Sequence, residues 1–307
     1  MIGIAVLVAP SFLLIVIGYA ARRLLPSVEF WTLLDKLVYW LLIPALFLAK
    51  ISAADLASSP LGAFAAILYA GFFGATAFGW LAQRLARMAP AQASDVVQGA
   101  GRFNTFLGLA IAEALYGPAG LQAGVLGSAL LVPVVNVTVV TVLAAMLGRG
   151  GSSRLLGTLG ELARNPLILS ILAGLALNIA GLHRVPVLHE TAGMLGQAAL
   201  PIMLLAVGAN LQLRGIGGAW APVALAALGK LVVFPLLVLG AVALLQPPLI
   251  VAQVAMIYAV LPTAASAYTL ARQMGGDAGL MAAMISAQTA LAFVTIPATL
   301  ALAGWLY

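Results

Sequence analysis

Two short polar clusters interrupt long apolar runs in this 307-residue chain, and they hold the residues most suited to chemistry. One reads Gly101-Arg102-Phe103-Asn104-Thr105-Phe106-Leu107-Gly108, the other Leu261-Pro262-Thr263-Ala264-Ala265-Ser266. Asn104 or Thr105 suits the N-cap of a fresh helical segment, because its side-chain oxygen can accept from a backbone N–H left free by the first turn. Pro262 lacks an amide donor and disfavours helix in the residue before it, so it predicts a break and suits the first position of the next half-helix. The alternative for Pro262 is a simple kink satisfied by neighbouring helices. A helix N-terminus carries about half a positive charge in unpaired donors and favours an anion such as a carboxylate. Asn104, Thr105, Thr263 and Ser266 offer further hydrogen bonds to such a group.

Charges inside apolar runs call for a reason, since each costs at least about 2.5 to 3.5 kcal/mol at mid-membrane on insertion scales. Arg102 either adds positive potential for an anionic substrate or pins the structure by pairing with Glu113 or with carbonyls freed by the break. Lys230 either faces the same cavity, snorkels, or neutralises a carboxylate. Glu113 is the acid well inside a run; it is a coupling-proton candidate if buried and a counter-ion near the surface otherwise. Asn136 and Gln288 are single amides on apolar helices, where interhelical hydrogen bonding competes with a place beside the cavity. Asn178 and Asn210 lie nearer run ends and read as caps.

The elements that must position these residues follow from composition. The chain is 64% hydrophobic and 7% charged, against roughly 45–50% and about 25% in soluble domains, and its mean hydropathy is +1.15. The bilayer is its solvent. Runs able to cross it are read at 4–21, 33–52, 60–82, 93–116 and 119–147, then 166–182, 188–211, 218–245, 249–274 and 277–305, which leaves no room for a soluble catalytic domain. Ten of the fourteen cations, among them Arg22, Arg84, Arg154 and Arg272, fall in odd-numbered connections, whereas Lys50 and Arg184 fall in even-numbered ones. The positive-inside rule then puts both termini outside. Cations placed as topology signals argue against nucleic acid as a partner, and the apolar N-terminal run without a basic leader is expected to stay as a helix.

Cysteine is absent, which removes disulfides, thiolate metal sites and cysteine nucleophiles. His183 and His189 lie in one outer connection without an HExxH arrangement, the aspartates at 35, 55, 95 and 277 fall near run ends, and no nucleophile elbow or phosphate loop occurs. These features point away from an enzyme, and no cofactor or metal is expected.

The two halves echo each other. Pro44-Ala45-Leu46-Phe47-Leu48-Ala49 aligns with Pro201-Ile202-Met203-Leu204-Leu205-Ala206 at an offset of 157, Asn104-Thr105 with Pro262-Thr263 at 158, and Gly120-Leu121 with Gly279-Leu280 at 159. Five runs per copy is an odd number, so the second copy enters from the opposite side. Inverted repeats of this kind are typical of secondary transporters, whose site lies near the midplane where the repeats meet.

At these residues the chain resembles the auxin efflux carrier (AEC) family, which includes malonate and malate permease-like proteins and is similar in fold to plant PIN carriers. The resemblance rests on Pro10 through Arg23, Leu42-Ile43-Pro44-Ala45-Leu46, Arg102-Phe103-Asn104-Thr105 with Gly108, Asn165-Pro166, Leu200-Pro201, Lys230 and Leu261-Pro262-Thr263-Ala264. It implies an all-α integral membrane fold of ten transmembrane helices in two inverted five-helix repeats, 1–147 and 166–307, joined by a cytoplasmic linker at 148–165. Scaffold and transport domains would interleave in sequence, with the broken fourth and ninth helices crossed and an elevator-like movement. By position Asn104 and Pro262 would mark the crossing, Thr105, Thr263 and Ser266 would line it, and Asn136 would border it. The family also suggests a homodimer, and the short linker a bacterial inner-membrane member.

The expectation is thus a secondary carrier of a small organic anion, bearing Arg102, Asn104, Thr105, Asn136, Pro262, Thr263 and Ser266 as its binding set and Glu113, Lys230 and Gln288 as coupling or cavity residues. Proton or sodium is the coupling ion. The rival readings are a sodium-coupled symporter for bulkier organic anions of the bile-acid type and a ligand-binding membrane sensor that does not transport.

Overall fold

In hydrocarbon a backbone must satisfy its own polar groups, and a helix does so within one segment. Among the described residues of this computed structural model, which are 2–148, 160, 164–211 and 220–304, every regular element is helical. In order they are α1 (Ile2–Leu24), α2 (Val28–Leu37), a π-helical turn (Val38–Leu42), α3 (Ile43–Ser52), α4 (Leu61–Leu85), α5 (Pro90–Gly101), α6 (Thr105–Met146) and α7 (Pro166–Ile179). There follow α8 (Leu188–Ala209), α9 (Trp220–Leu228), a second π-helical turn (Gly229–Val233), α10 (Phe234–Leu245), α11 (Leu249–Val260), α12 (Ser266–Met274) and α13 (Ala278–Ala303). Arg149, Arg154, Arg214 and most of the 148–165 link lie outside the described residues.

Among the described residues seven segments are long and apolar enough to cross a membrane, and α7 and α11 are shorter apolar helices. The runs expected at 166–182 and 249–274 give helices of 14 residues and of 12 and 9 residues respectively, so length alone does not mark them as crossings. The runs at 93–116 and 119–147 meet at a sharp bend, where Gly117 adopts φ 60°, ψ −149°, a backbone region open essentially to glycine. Outward faces carry exposed apolar side chains, including Leu24, Trp40, Trp220, Leu244 and Val294.

Both π-helical turns have a local cause. Pro44 and Pro235 have no N–H to offer the carbonyls of Trp40 and Leu231 four residues earlier, and their rings would clash there. Those carbonyls lie inside the two π-helical turns, where the wider i→i+5 register relieves the crowding.

Helices pack in two neighbourhoods. α1 runs along α8, and α3 packs on α7 and α8; α4 packs on α5 and α10, α9 on α5 and α13, and α11 on α6 and α10. The α1–α8 contact is backbone to backbone, because a Cβ on Gly18 would overlap the Leu205 carbonyl and one on Gly208 the Ile15 carbonyl. Small residues allow such an approach between membrane helices. Gly208→Ala is expected to destabilise the solubilised protein by about 1–3 kcal/mol, read as a lower Tm in thermal unfolding, whereas Gly240→Ala, whose Cβ meets nothing within 4 Å, leaves the Tm in place.

Polar ties fasten this neighbourhood at both ends. At one end an Arg22 guanidinium N–H donates to Ala209 O (2.8 Å) and Asn210 Nδ2 to Asp35 Oδ2 (2.8 Å). At the other, Asn178 Nδ2 donates to the carbonyls of Ile51, Ser52 and Ala54, and the rings of His189 and His183 lie against Ser52 Oγ (2.7 Å) and Ser52 O (3.1 Å). Asn178 therefore ties two helices together rather than capping one, while Asn210 does sit at the C-cap of α8. In the following connection the Ser58 hydroxyl and N–H donate to Asp55 and hold its carboxyl below the usual carboxylate range.

Candidate functional site

The two polar clusters of the sequence form two helix interruptions that touch. α5 ends at Gly101, Arg102–Asn104 are extended, and α6 starts at Thr105. α11 ends at Val260, residues 261–264 are non-helical, and α12 starts at Ser266. The Asn104 N–H donates to the Pro262 carbonyl at 2.8 Å, joining one break to the other through main chain. Asn104 is the N-cap of α6, its Oδ1 accepting from Leu107 N–H at 3.2 Å, as an amide at that position can. Pro262 differs from expectation: it lies inside the break, four residues before the first residue of α12, and Ala265 is the N-cap. Because Pro262 lies in the non-helical break, no helical N–H claims its carbonyl, which serves as the acceptor that couples the breaks.

Gln288 of α13 bridges the second interruption to the last turn of α5. Its Oε1 accepts from the Thr263 N–H (2.9 Å) and lies 2.8 Å from the Thr263 hydroxyl, while its Nε2 donates to Gly99 O (3.0 Å). The Thr263 hydroxyl also lies 2.7 Å from Gly99 O. Thr263 and Gln288 are both 0% exposed. Their polar atoms are engaged by protein, so they shape the crossing rather than present free groups to a ligand.

Arg102 is 8% exposed and donates from a terminal guanidinium nitrogen to Ser266 Oγ at 2.9 Å, while its Nε has no partner. Ser266 is exposed, so the crossing opens on its side, and Thr105 at the start of α6 is 8% exposed. Tyr39, on the first π-helical turn, lies in the electrostatic neighbourhood of Arg102. Among the described residues no carboxylate pairs with Arg102, and Glu113 is exposed. The Arg102–Glu113 pair considered from sequence is therefore absent here, and Glu113 does not join the crossing.

Lys230 is fully buried rather than snorkelling. It lies on the second π-helical turn, with Nζ 3.4 Å from Tyr258 O and 3.6 Å from the centre of the Phe234 ring. Tyr258 belongs to the last turn of α11, whose carbonyls have no following turn to bond, and a basic group there answers the negative end of the helix. The Phe103 ring of the first break lies 5.9 Å from the same Nζ, so Lys230 packs beneath both interruptions. Asn136 is half-buried on α6, and among the described residues no hydrogen bond joins it to either break.

Three residues near the site carried no motif. Tyr258 is buried, donates to Gly124 O at 2.7 Å and contacts Ser128 Oγ, fixing α11 to α6. Tyr39 brings the α1–α3 neighbourhood to Arg102. Asp95, near the start of a run in the sequence, is 0% exposed on α5. Two surface hollows lie elsewhere: one of about 480 Å³ between α1 and α13, lined by Phe12, Phe293 and Pro297 among others, and one of about 400 Å³ around 53–57, Asn178 and His183.

A helical membrane protein with two interrupted helices joined at their breaks belongs among transport proteins by architecture, and comparison with known sequences agrees. Residues 153–300 match a family model described as "Membrane transport protein". A protein of Rhizobium meliloti named "Putative malonate transporter" is 30% identical over 318 residues, covering 94% of this chain and 92% of that one. The chain belongs to this family of membrane transport proteins, the auxin efflux carrier family.

Proposed function

We propose that the chain is a secondary carrier of a small carboxylate anion which binds at the crossing of the two breaks. The observation that carries this reading is the pairing of Arg102 with Ser266 beside the Asn104–Pro262 contact: a guanidinium with no carboxylate partner among the described residues sits where two half-helices begin. Arg retains its charge under all physiological conditions, and a carboxylate seated there would accept from the guanidinium, the Thr105 hydroxyl and the first turns of α6 and α12. Asn104 and Pro262 form the frame of the site, Thr263 and Gln288 hold that frame shut, and Asn136 borders it from α6. The name of the R. meliloti relative supports malonate as the first anion to test.

In this reading the polypeptide crosses the membrane ten times as two inverted repeats, 1–147 and 166–307, with both termini outside a bacterial inner membrane. The tight α1–α3, α7 and α8 neighbourhood is the scaffold. The second neighbourhood carries the crossing and slides against it as an elevator, and Tyr39 meets Arg102 at the sliding boundary. The backbone contact of α1 with α8 supports a rigid scaffold, on which a homodimer would form. Coupling by sodium in the bile-acid manner and a sensor without transport are the rivals. The test is counterflow: proteoliposomes preloaded with unlabelled malonate accumulate labelled malonate if the protein is a carrier, and binding without accumulation would leave the sensor.

A further inference from the structure

We propose that Asp95 is a proton-binding site, carrying the coupling proton of the carrier; this rests on the transport reading above. Asp95 is completely buried, yet among the described residues no cationic side chain pairs with it. Its Oδ1 accepts from Gln98 Nε2 at 3.0 Å and its Oδ2 from the Asp277 N–H at 2.7 Å. Two dipolar donors do not replace the hydration an ionised carboxylate loses on burial, a cost of several kcal/mol that a bound cation or proton removes.

The second observation is independent. Gln98 is also 0% exposed, and its Oε1, on the same amide that touches Asp95, has no hydrogen-bond partner. A buried acceptor of this kind lacks a donor. Turning the amide over presents Oε1 to Asp95 Oδ1, where a carboxylic O–H would satisfy it. Packing selects a proton over a metal cation: a Cβ on Gly276 would sit 2.7 Å from Asp95 Oδ1 and 3.3 Å from Ser94 Oγ, so the neighbouring turn closes on the carboxyl.

The charged surroundings are consistent with an uncompensated acid. Asp277 is the ionisable neighbour in contact, its carboxylate capping α13 through Leu280 N–H at 3.0 Å. On the other elements against α5, Arg84 of α4 stacks on Trp80, Arg272 of α12 and Glu113 of α6 are exposed, Tyr268 of α12 is half-buried, and Lys230 lies at the crossing. The location links protonation to movement. Asp95 holds the α12–α13 turn to α5, and seven residues further along the chain, about 10 Å away along the axis of α5, Arg102 just past its end holds the start of α12. A proton taken from water onto Oδ1 neutralises the carboxylate, weakens the bond from Asp277 N–H, and frees that end of the half-helix pair; its release to water on the opposite side restores the tie.

The experiment has two readouts on the full-length protein. In infrared difference spectra between wild type and Asp95→Asn, the protonated carboxyl C=O band of Asp95 is expected at mildly acidic pH and lost on alkalinisation; a carboxyl that never changes protonation across that range overturns the proposal even if no transport is seen. In proteoliposomes an acid-outside gradient is expected to raise malonate uptake about fivefold or more in wild type, while D95N keeps gradient-independent counterflow and loses the stimulation. Full stimulation in D95N overturns the proton site but leaves the carrier reading intact, whereas absent counterflow in wild type strikes the carrier reading alone. Should D95N not fold, Gln98→Met removes the amide acceptor and is expected to shift the pH midpoint of the band; an unmoved midpoint counts against the proposal.

Discussion

Arg102→Ala is expected to weaken malonate binding roughly 10- to 100-fold, the range for losing a charge-assisted hydrogen bond, with little change in Tm. The reason for the split lies in the partners. Arg102 donates to an exposed serine that water can serve after truncation, and its own Nε is without a partner, so the fold gives up little. A bound carboxylate, by contrast, loses the guanidinium it contacts at the breaks. Arg102→Lys keeps a charge but not the planar fork and falls between. Isothermal titration of the solubilised protein with malonate reads the affinity, and unaltered affinity in R102A would remove Arg102 from the site.

Gln288→Leu is expected to have the opposite signature, a loss of stability by about 1–3 kcal/mol, because it deletes a buried bridge and strands the Thr263 N–H. The Thr263 N–H in the second break, the Thr263 hydroxyl and Gly99 O in the last turn of α5 all meet this one amide and are buried; the hydroxyl and Gly99 O keep their mutual contact, whereas the N–H has no other partner among the described residues. No water reaches them to compensate. Gln288→Glu retains the acceptor for Thr263 but cannot donate to Gly99 O while ionised, and so falls between wild type and leucine. Thermal unfolding in detergent checks this: Q288L with an unchanged Tm would mean that the breaks do not depend on α13.

The two breaks were legible because their residues announce themselves locally. Asn104 has the side chain of an N-cap and occupies that role, and Pro262 lacks the donor a continuous helix requires. What local chemistry could not give was the partner of each group. Pro262 was read as the start of α12, whereas its carbonyl is spent on Asn104 and the helix waits until Ser266. Lys230 could have snorkelled on sequence grounds; the π-helical turn before Pro235 and the aromatic ring of Phe234 bury it instead. Asp95 falls near a run end in the sequence, yet α5 starts at Pro90 and the turn that covers the carboxyl comes 182 residues later. Glu113, an acid inside an apolar run, faces outward just before the Gly117 bend, in line with the surface alternative for it. Contacts distant in sequence decided the cases of Pro262 and Asp95.

The absence of cysteine from the chain allows a direct test of the central claim, that the joined breaks form a carboxylate site exposed to each side of the membrane in turn. Ala265→Cys places a single thiol at the N-cap of α12, half-buried at the break. In oriented proteoliposomes a membrane-impermeant maleimide is predicted to modify A265C from either side, and malonate at saturating concentration to slow both reactions. Modification from one side only, at a rate malonate does not change, would contradict the account.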